Sequence, residues 1–149
     1  MKTMSRILLE KLEKEGSVLF HGSGYKTETL EPHQAYNFAD GHKTTDDKPG
    51  VHATPFAEIA IFMAVVNKNN LKNFRSSFSY TNKGLFFRMT KKTCDQISNA
   101  TIGYVYILPK DKFIKRSPAE YISYDSVIPT QIIKVNGDDL PSEISIIPE

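Results

Sequence analysis

Apolar and polar positions along this chain fall into short blocks whose period keeps changing. Ile7, Leu8 and Leu12 form a stripe at helical spacing behind Ser5, which can cap a helix running through about Lys14 and stopped by Gly16. Val18-Leu19-Phe20 is a continuous apolar run leading into His21-Gly22-Ser23, the pattern of a buried strand that delivers a histidine to its end. From Gly22 to Pro49 the chain is polar and turn-rich, with Leu30-Glu31-Pro32 its one firm apolar punctuation. That stretch reads as a long exposed loop, of a length uncommon inside a compact domain unless it serves a site or is partly disordered. Val51-His52-Ala53-Thr54 predicts a short strand. Thr54 then caps a helix with Pro55 at its first position and Phe56, Ile59, Ala60, Phe62, Met63 and Val66 around most of its circumference, so the helix is expected to be largely buried.

The second half is mostly strand. Phe74, Ser76, Phe78 and Tyr80 alternate with Arg75, Ser77 and Ser79, and Asn82-Lys83-Gly84 turns the chain into Leu85-Phe86-Phe87-Arg88-Met89, a hairpin pattern. Lys91 to Asn99 is a polar excursion with room for one helical turn. Ile102 to Leu108 is the clearest β run and ends at Pro109; Lys110 to Arg116 reads as a basic connection. Tyr121 to Tyr124, Gln131 to Val135 and Ile144 to Ile147 complete the strands. Two early helices followed by short strands that never alternate as βαβ units predict an α+β fold.

Length and composition narrow the class without naming a chemistry. The 149 residues suit one domain with a real core, and a net charge of +2 does not announce nucleic-acid binding. Cys94 is the only cysteine, which leaves no disulfide framework and no thiolate metal cluster within the chain. It is expected to be structural. The amphipathic opening is not a signal peptide, and no apolar run approaches membrane-spanning length. The expectation is a monomeric cytoplasmic protein without a membrane segment. Lys68, Lys72, Arg75, Lys83 and Arg88 with Phe74, Phe78 and Tyr80 outline a basic, aromatic surface. Such a surface suits a nucleic-acid or phosphate partner or, more blandly, a solvated hairpin. His33 and His42 lie in the polar loop at spacings that match no metal-ligand pattern, so no metal is expected.

Three stretches read together carry more. They are His21-Gly22-Ser23, then Gly50-Val51-His52-Ala53-Thr54-Pro55 through Phe62, and then Glu120-Tyr121-Ile122-Ser123-Tyr124-Asp125. In this order the chain resembles the ADP-ribosyltransferase fold on its diphtheria-toxin and poly(ADP-ribose) polymerase side, over about Val18 to Val135. The resemblance implies a split β-sheet core with flanking helices, NAD as substrate, and transfer of ADP-ribose to a protein or nucleic-acid acceptor with release of nicotinamide. It implies that His21 bonds the ribose 2′-hydroxyl and that Gly22 holds the carboxamide through backbone N–H and C=O. Ser23 would add a hydroxyl bond, Phe62 would stack on the nicotinamide ring, and Glu120 would act as the catalytic carboxylate.

Val51 occupies the position where relatives carry an aromatic residue, and a shift of one brings His52 there. Strand alternation forbids both from facing the slot. Two other readings follow from the same likeness: a non-catalytic nucleotide- or partner-binding module, to which Val51 points, and an RNA 2′-phosphotransferase, to which His52 points. The residue types suit the chemistry in their own right. The nicotinamide of NAD is cationic while bonded and departs neutral with the bonding pair, leaving an oxocarbenium-like centre that an ionised carboxylate stabilises.

Overall fold

A computed structural model describes residues 2–33, 36–39, 42–45 and 48–149, with the backbone alone for 36–39 and 42–45. The first helix, α1 (Met4–Glu15), is capped by Thr3, whose hydroxyl accepts the Arg6 N–H at 3.1 Å. Ser5, the expected cap, instead donates its hydroxyl to the Lys134 carbonyl. Gly16 ends the helix in the left-handed region at φ 77°, returning its N–H to Leu12.

The histidine strand, β1 (Val18–Ser23), lies at the edge of an antiparallel sheet ordered β1-β7-β10, where β7 is Ile102–Pro109 and β10 is Gln131–Asn136. His21 sits opposite Tyr106 in this register. The free edge of β1 meets β4 (Val51–Ala53) through a single bridge, in which Phe20 and Thr54 exchange both backbone bonds at 2.8 and 2.9 Å. The second sheet begins at β4, which pairs with β9 (Glu120–Ser123), and β9 pairs with β8 (Ile114–Ser117). Among the described residues, the Phe20–Thr54 bridge is the backbone link between these two three-stranded sheets. A third sheet holds the expected hairpin, β5 (Ser76–Thr81) and β6 (Gly84–Thr90), with β11 (Ile144–Ile147) added parallel to β6. α3 (Lys91–Cys94) is the short helical turn after β6, and Cys94 on it is exposed.

The expected loop from Gly22 to Pro49 is more structured than its composition suggests. Tyr36–Ala39 (β2) pairs with His42–Thr45 (β3), Leu30 bridges Val127, and His33 bridges Gly50. The side chain of His42 falls outside the described residues. β8 likewise forms where the composition predicts a connection. All four of its residues are exposed, so no apolar alternation marks it.

Helix α2 (Ala57–Val65) is as apolar and buried as its sequence requires, with seven of its nine residues inside. Its start differs from expectation. Phe56 holds the N-cap position, and Thr54 accepts the Phe56 N–H instead of capping the helix. The orphan N–H of Ala57 is taken by Glu13 Oε1 of α1 at 2.6 Å, and burial holds that carboxyl above its usual range. α2 lies so close on the sheet that a Cβ on Gly22 would collide with the Ala60 carbonyl, and one on Gly103 with the Ala64 carbonyl. Beneath α2 a core forms from Phe20, Phe62, Phe87, Met89, Val105 and Ile133, among others. On the sheet's opposite face a second core unites Leu19, Leu30, Val51, Ala53, Tyr106, Leu108 and Val127. No described helix is long and apolar enough to cross a membrane.

Candidate active site

A cleft of about 290 Å³ opens beside the second core, between β1, the segment that follows it, and β4. Its walls include His21, Ser23, Tyr25, Thr27, His33 and His52. The alternation of β1 decides how the histidine arrives there. Phe20 and Gly22 point to the α2 side, so Leu19, His21 and Ser23 point to the other.

The His21 ring is fixed by two contacts. Nδ1 donates to the His52 carbonyl at 2.7 Å, and the Tyr106 ring meets it edge-on with centroids 5.9 Å apart. Because a carbonyl only accepts, the imidazole proton is on Nδ1, and Nε2 is left with a lone pair to receive a donor. Burial pushes the imidazole below its usual range, against the opposing pull of the His52 carbonyl, and positive charge on His52 or His33 would push it further down. The ring is thus neutral at pH 7 and suited to accept a hydroxyl proton in a hydrogen bond.

Gly22 contributes main chain. Phe20 spends its N–H and C=O on Thr54, so by antiparallel alternation Gly22 directs its own pair away from β7, on the edge of β1 that meets Thr54. Outside the β1–β7 ladder, no backbone partner of Gly22 occurs among the described residues. The missing Cβ has a separate cause, since the Ala60 carbonyl of α2 occupies that side.

Glu120 opens β9. Ala53 pairs with Tyr121 and His52 with Ile122, so Glu120 and His52 lie two positions apart along one face of the β4–β9 pair. Glu120 Oε2 is 3.5 Å from His52 Nδ1, and its Oε1 is 3.7 Å from Arg116 Nε on β8. With 42% of its side chain exposed, the carboxylate remains open to solvent and to an incoming molecule. It does not line the cleft itself but joins it through His52.

The expected residues thus divide. His21, Ser23, Val51 and His52 meet at the cleft and Glu120 adjoins it. Val51 buries its side chain in the second core, while His52 presents its ring to Glu120. Phe62, expected to stack on a ligand ring, lies elsewhere. It is 2% exposed and packed against Phe87 at 4.9 Å and Phe78 at 6.4 Å in the core under α2. The basic, aromatic surface also comes apart. Phe78 and Tyr80 alternate onto the α2 side of β5, while Arg88 reaches Ser77 and Ser79 on the reverse.

Two residues, one in the cleft wall and one buried beneath it, escape sequence reasoning. Tyr25 is the exposed aromatic of the cleft wall, at 52%, inside a stretch whose composition says only loop. Tyr106 sits in the middle of an apolar run and reads as core; its place opposite His21 emerges only from the β1–β7 register. Among the described residues, no group of three His, Cys, Asp or Glu could hold a metal ion. No protein-family model, curated protein or solved structure matches this chain.

Proposed function

We propose that this chain is an ADP-ribosyltransferase-fold enzyme that transfers ADP-ribose from NAD to a macromolecular acceptor, protein or nucleic acid, and releases nicotinamide. The observation that carries the reading is convergence. Three segments spread over about a hundred residues of sequence join through the Phe20–Thr54 bridge, the β4–β9 pairing, and the contacts of His52 with both His21 and Glu120.

In this reading His21 Nε2 accepts a ribose hydroxyl, and the outward N–H and C=O of Gly22 bond the carboxamide. Ser23, whose oxygen already accepts the Tyr25 N–H at 3.3 Å, has its hydroxyl proton to give. Val51 supplies an apolar floor. The flat aromatic face that Phe62 cannot offer from the core comes from Tyr25. As the bond between ribose C1′ and nicotinamide breaks, its electron pair leaves with the nicotinamide, and Glu120 stabilises the positive charge that develops at C1′. The acceptor's nucleophile then bonds C1′ and gives up its proton, for which Glu120 and the adjoining His52 are the available bases.

A second reading rests on Val51. A buried aliphatic side chain at the position where relatives carry a ring suits a non-catalytic module that binds a nucleotide or a partner. One experiment separates the two: NAD consumption by the purified protein, with and without cell lysate, followed as nicotinamide release and ADP-ribose incorporation. Enzyme chemistry predicts turnover that falls about 100-fold or more in Glu120→Gln, with NAD binding retained. Binding without turnover in the wild type, under either condition, assigns the module instead.

A further inference from the structure

Beneath the cleft lies a buried polar group that neither the fold nor the transfer chemistry requires. Tyr106 is fully buried at the centre of β7, yet its hydroxyl is doubly engaged: it donates to the Tyr25 carbonyl at 2.8 Å and accepts the Thr27 N–H at 2.8 Å. Those two groups belong to the segment that leaves β1 and forms the cleft wall. Among the described residues, the remaining fastenings of that segment are slight. Ser23 takes the Tyr25 N–H at 3.3 Å and Thr27 reaches the Thr29 carbonyl at 3.4 Å, until Leu30 closes onto Val127 with two backbone bonds of 2.9 Å. The same Tyr106 ring stands edge-on to His21. One side chain thus touches both a proposed ligand-binding histidine and the wall that bears the cleft's exposed aromatic.

We propose that Tyr106 is a positioning residue, pinning the Tyr25–Thr27 wall with its hydroxyl and bracing His21 with its ring, so that the two sides of the cleft keep a fixed separation. Its role as a specificity element for NAD rests on the transferase reading; the pinning does not. A phenylalanine in place of Tyr106 would pack well and keep the ring contact, but it would leave the Tyr25 carbonyl and Thr27 N–H to find water at the cost of the wall's position. Since the hydroxyl touches no reacting atom, its loss weakens ligand binding and leaves the chemical step alone.

The test compares the wild type with Tyr106→Phe in NAD titration calorimetry, nicotinamide-release kinetics and amide hydrogen exchange. The expected result is a Kd and KM for NAD raised about 10-fold with kcat within about threefold, as the loss of a pre-set wall implies. The Thr27 amide is expected to be protected in the wild type and released in the variant. Equal NAD affinity in the two proteins, or an unprotected Thr27 amide in the wild type, overturns the proposal. Because amide protection is read in the wild type as well, the proposal stays open to refutation even if the variant fails to fold. A wild type that binds no NAD but shows Thr27 protection lost on substitution removes the nucleotide reading and leaves the positioning role standing.

Discussion

The two faces of β1 are built on opposite terms. Toward α2, Phe20 and Gly22 meet a helix laid so close that its carbonyls occupy the space of a side chain, and the core there is closed and almost wholly apolar. Toward the cleft, Leu19 continues an apolar core, but His21 and Ser23 extend it into a polar opening, and Tyr106 carries a satisfied hydroxyl through the middle. One strand thus serves as a rigid seat on one side and, in the proposed reading, as a recognition surface on the other. A recognition group is only as well placed as the strand that bears it, and here the closed side fixes what the open side displays.

Disturbing the closed side should have the largest effect. In Gly22→Ala the new methyl meets the backbone of α2, which cannot rotate away, so a cost above about 3 kcal/mol is expected, the high end for overpacking. Circular dichroism and thermal melting should show a large loss of cooperative structure. A well-folded variant with an unchanged Tm would show that α2 has room to lift, and that the glycine is there for the cleft alone.

Phe62→Leu separates the two faces next. Removing ring volume from the α2 core should cost about 1–2 kcal/mol and lower Tm by several degrees, while NAD affinity stays within about twofold because Phe62 does not reach the cleft. A selective loss of NAD binding at constant Tm would restore Phe62 to the ligand.

The smallest effect concerns pH and belongs to the open face. His21 is held neutral in the fold by burial, whereas in the unfolded chain it titrates at its ordinary value of about 6.5. Its folded pKa is the lower of the two, so the unfolded state takes up the proton first. The contribution of neutral His21 is complete above about pH 6.5 and is lost as pH falls from there toward the depressed folded value. Melting curves between pH 7.5 and 5 should therefore slope less steeply in His21→Gln than in the wild type, and parallel curves would count against a buried neutral imidazole.

Sequence patterns reach the helices and most strands because apolar spacing reports burial: α2 and β7 are strongly buried, and β1 and β10 each bury an apolar pair, Leu19 with Phe20 and Ile133 with Val135. They miss β8, whose residues all face solvent, and the β2–β3 pairing, which lies within a mostly polar, turn-rich stretch. For the site, His21, Ser23, Val51 and His52 are legible as motif residues that do come together. Phe62 is misplaced by sequence because the spacing of a helix cannot say which neighbour covers each face. Tyr25 and Tyr106 are invisible for a related reason: their significance depends on pairing between strands some eighty residues apart, which local pattern does not encode.

That pairing also sets when the cleft can exist. β1 finds no sheet partner until β7 has been made, and the sheet has its third strand only when β10 arrives, past residue 130. Loops of this length must close before their contacts return any stability, so a chain of such topology folds slowly for its size. During synthesis on the ribosome, His21 would be among the first candidate site residues to emerge, yet it would wait unassembled while Glu120 was still to come. The proposed site is therefore withheld from the nascent chain until the strands through β10 have been made.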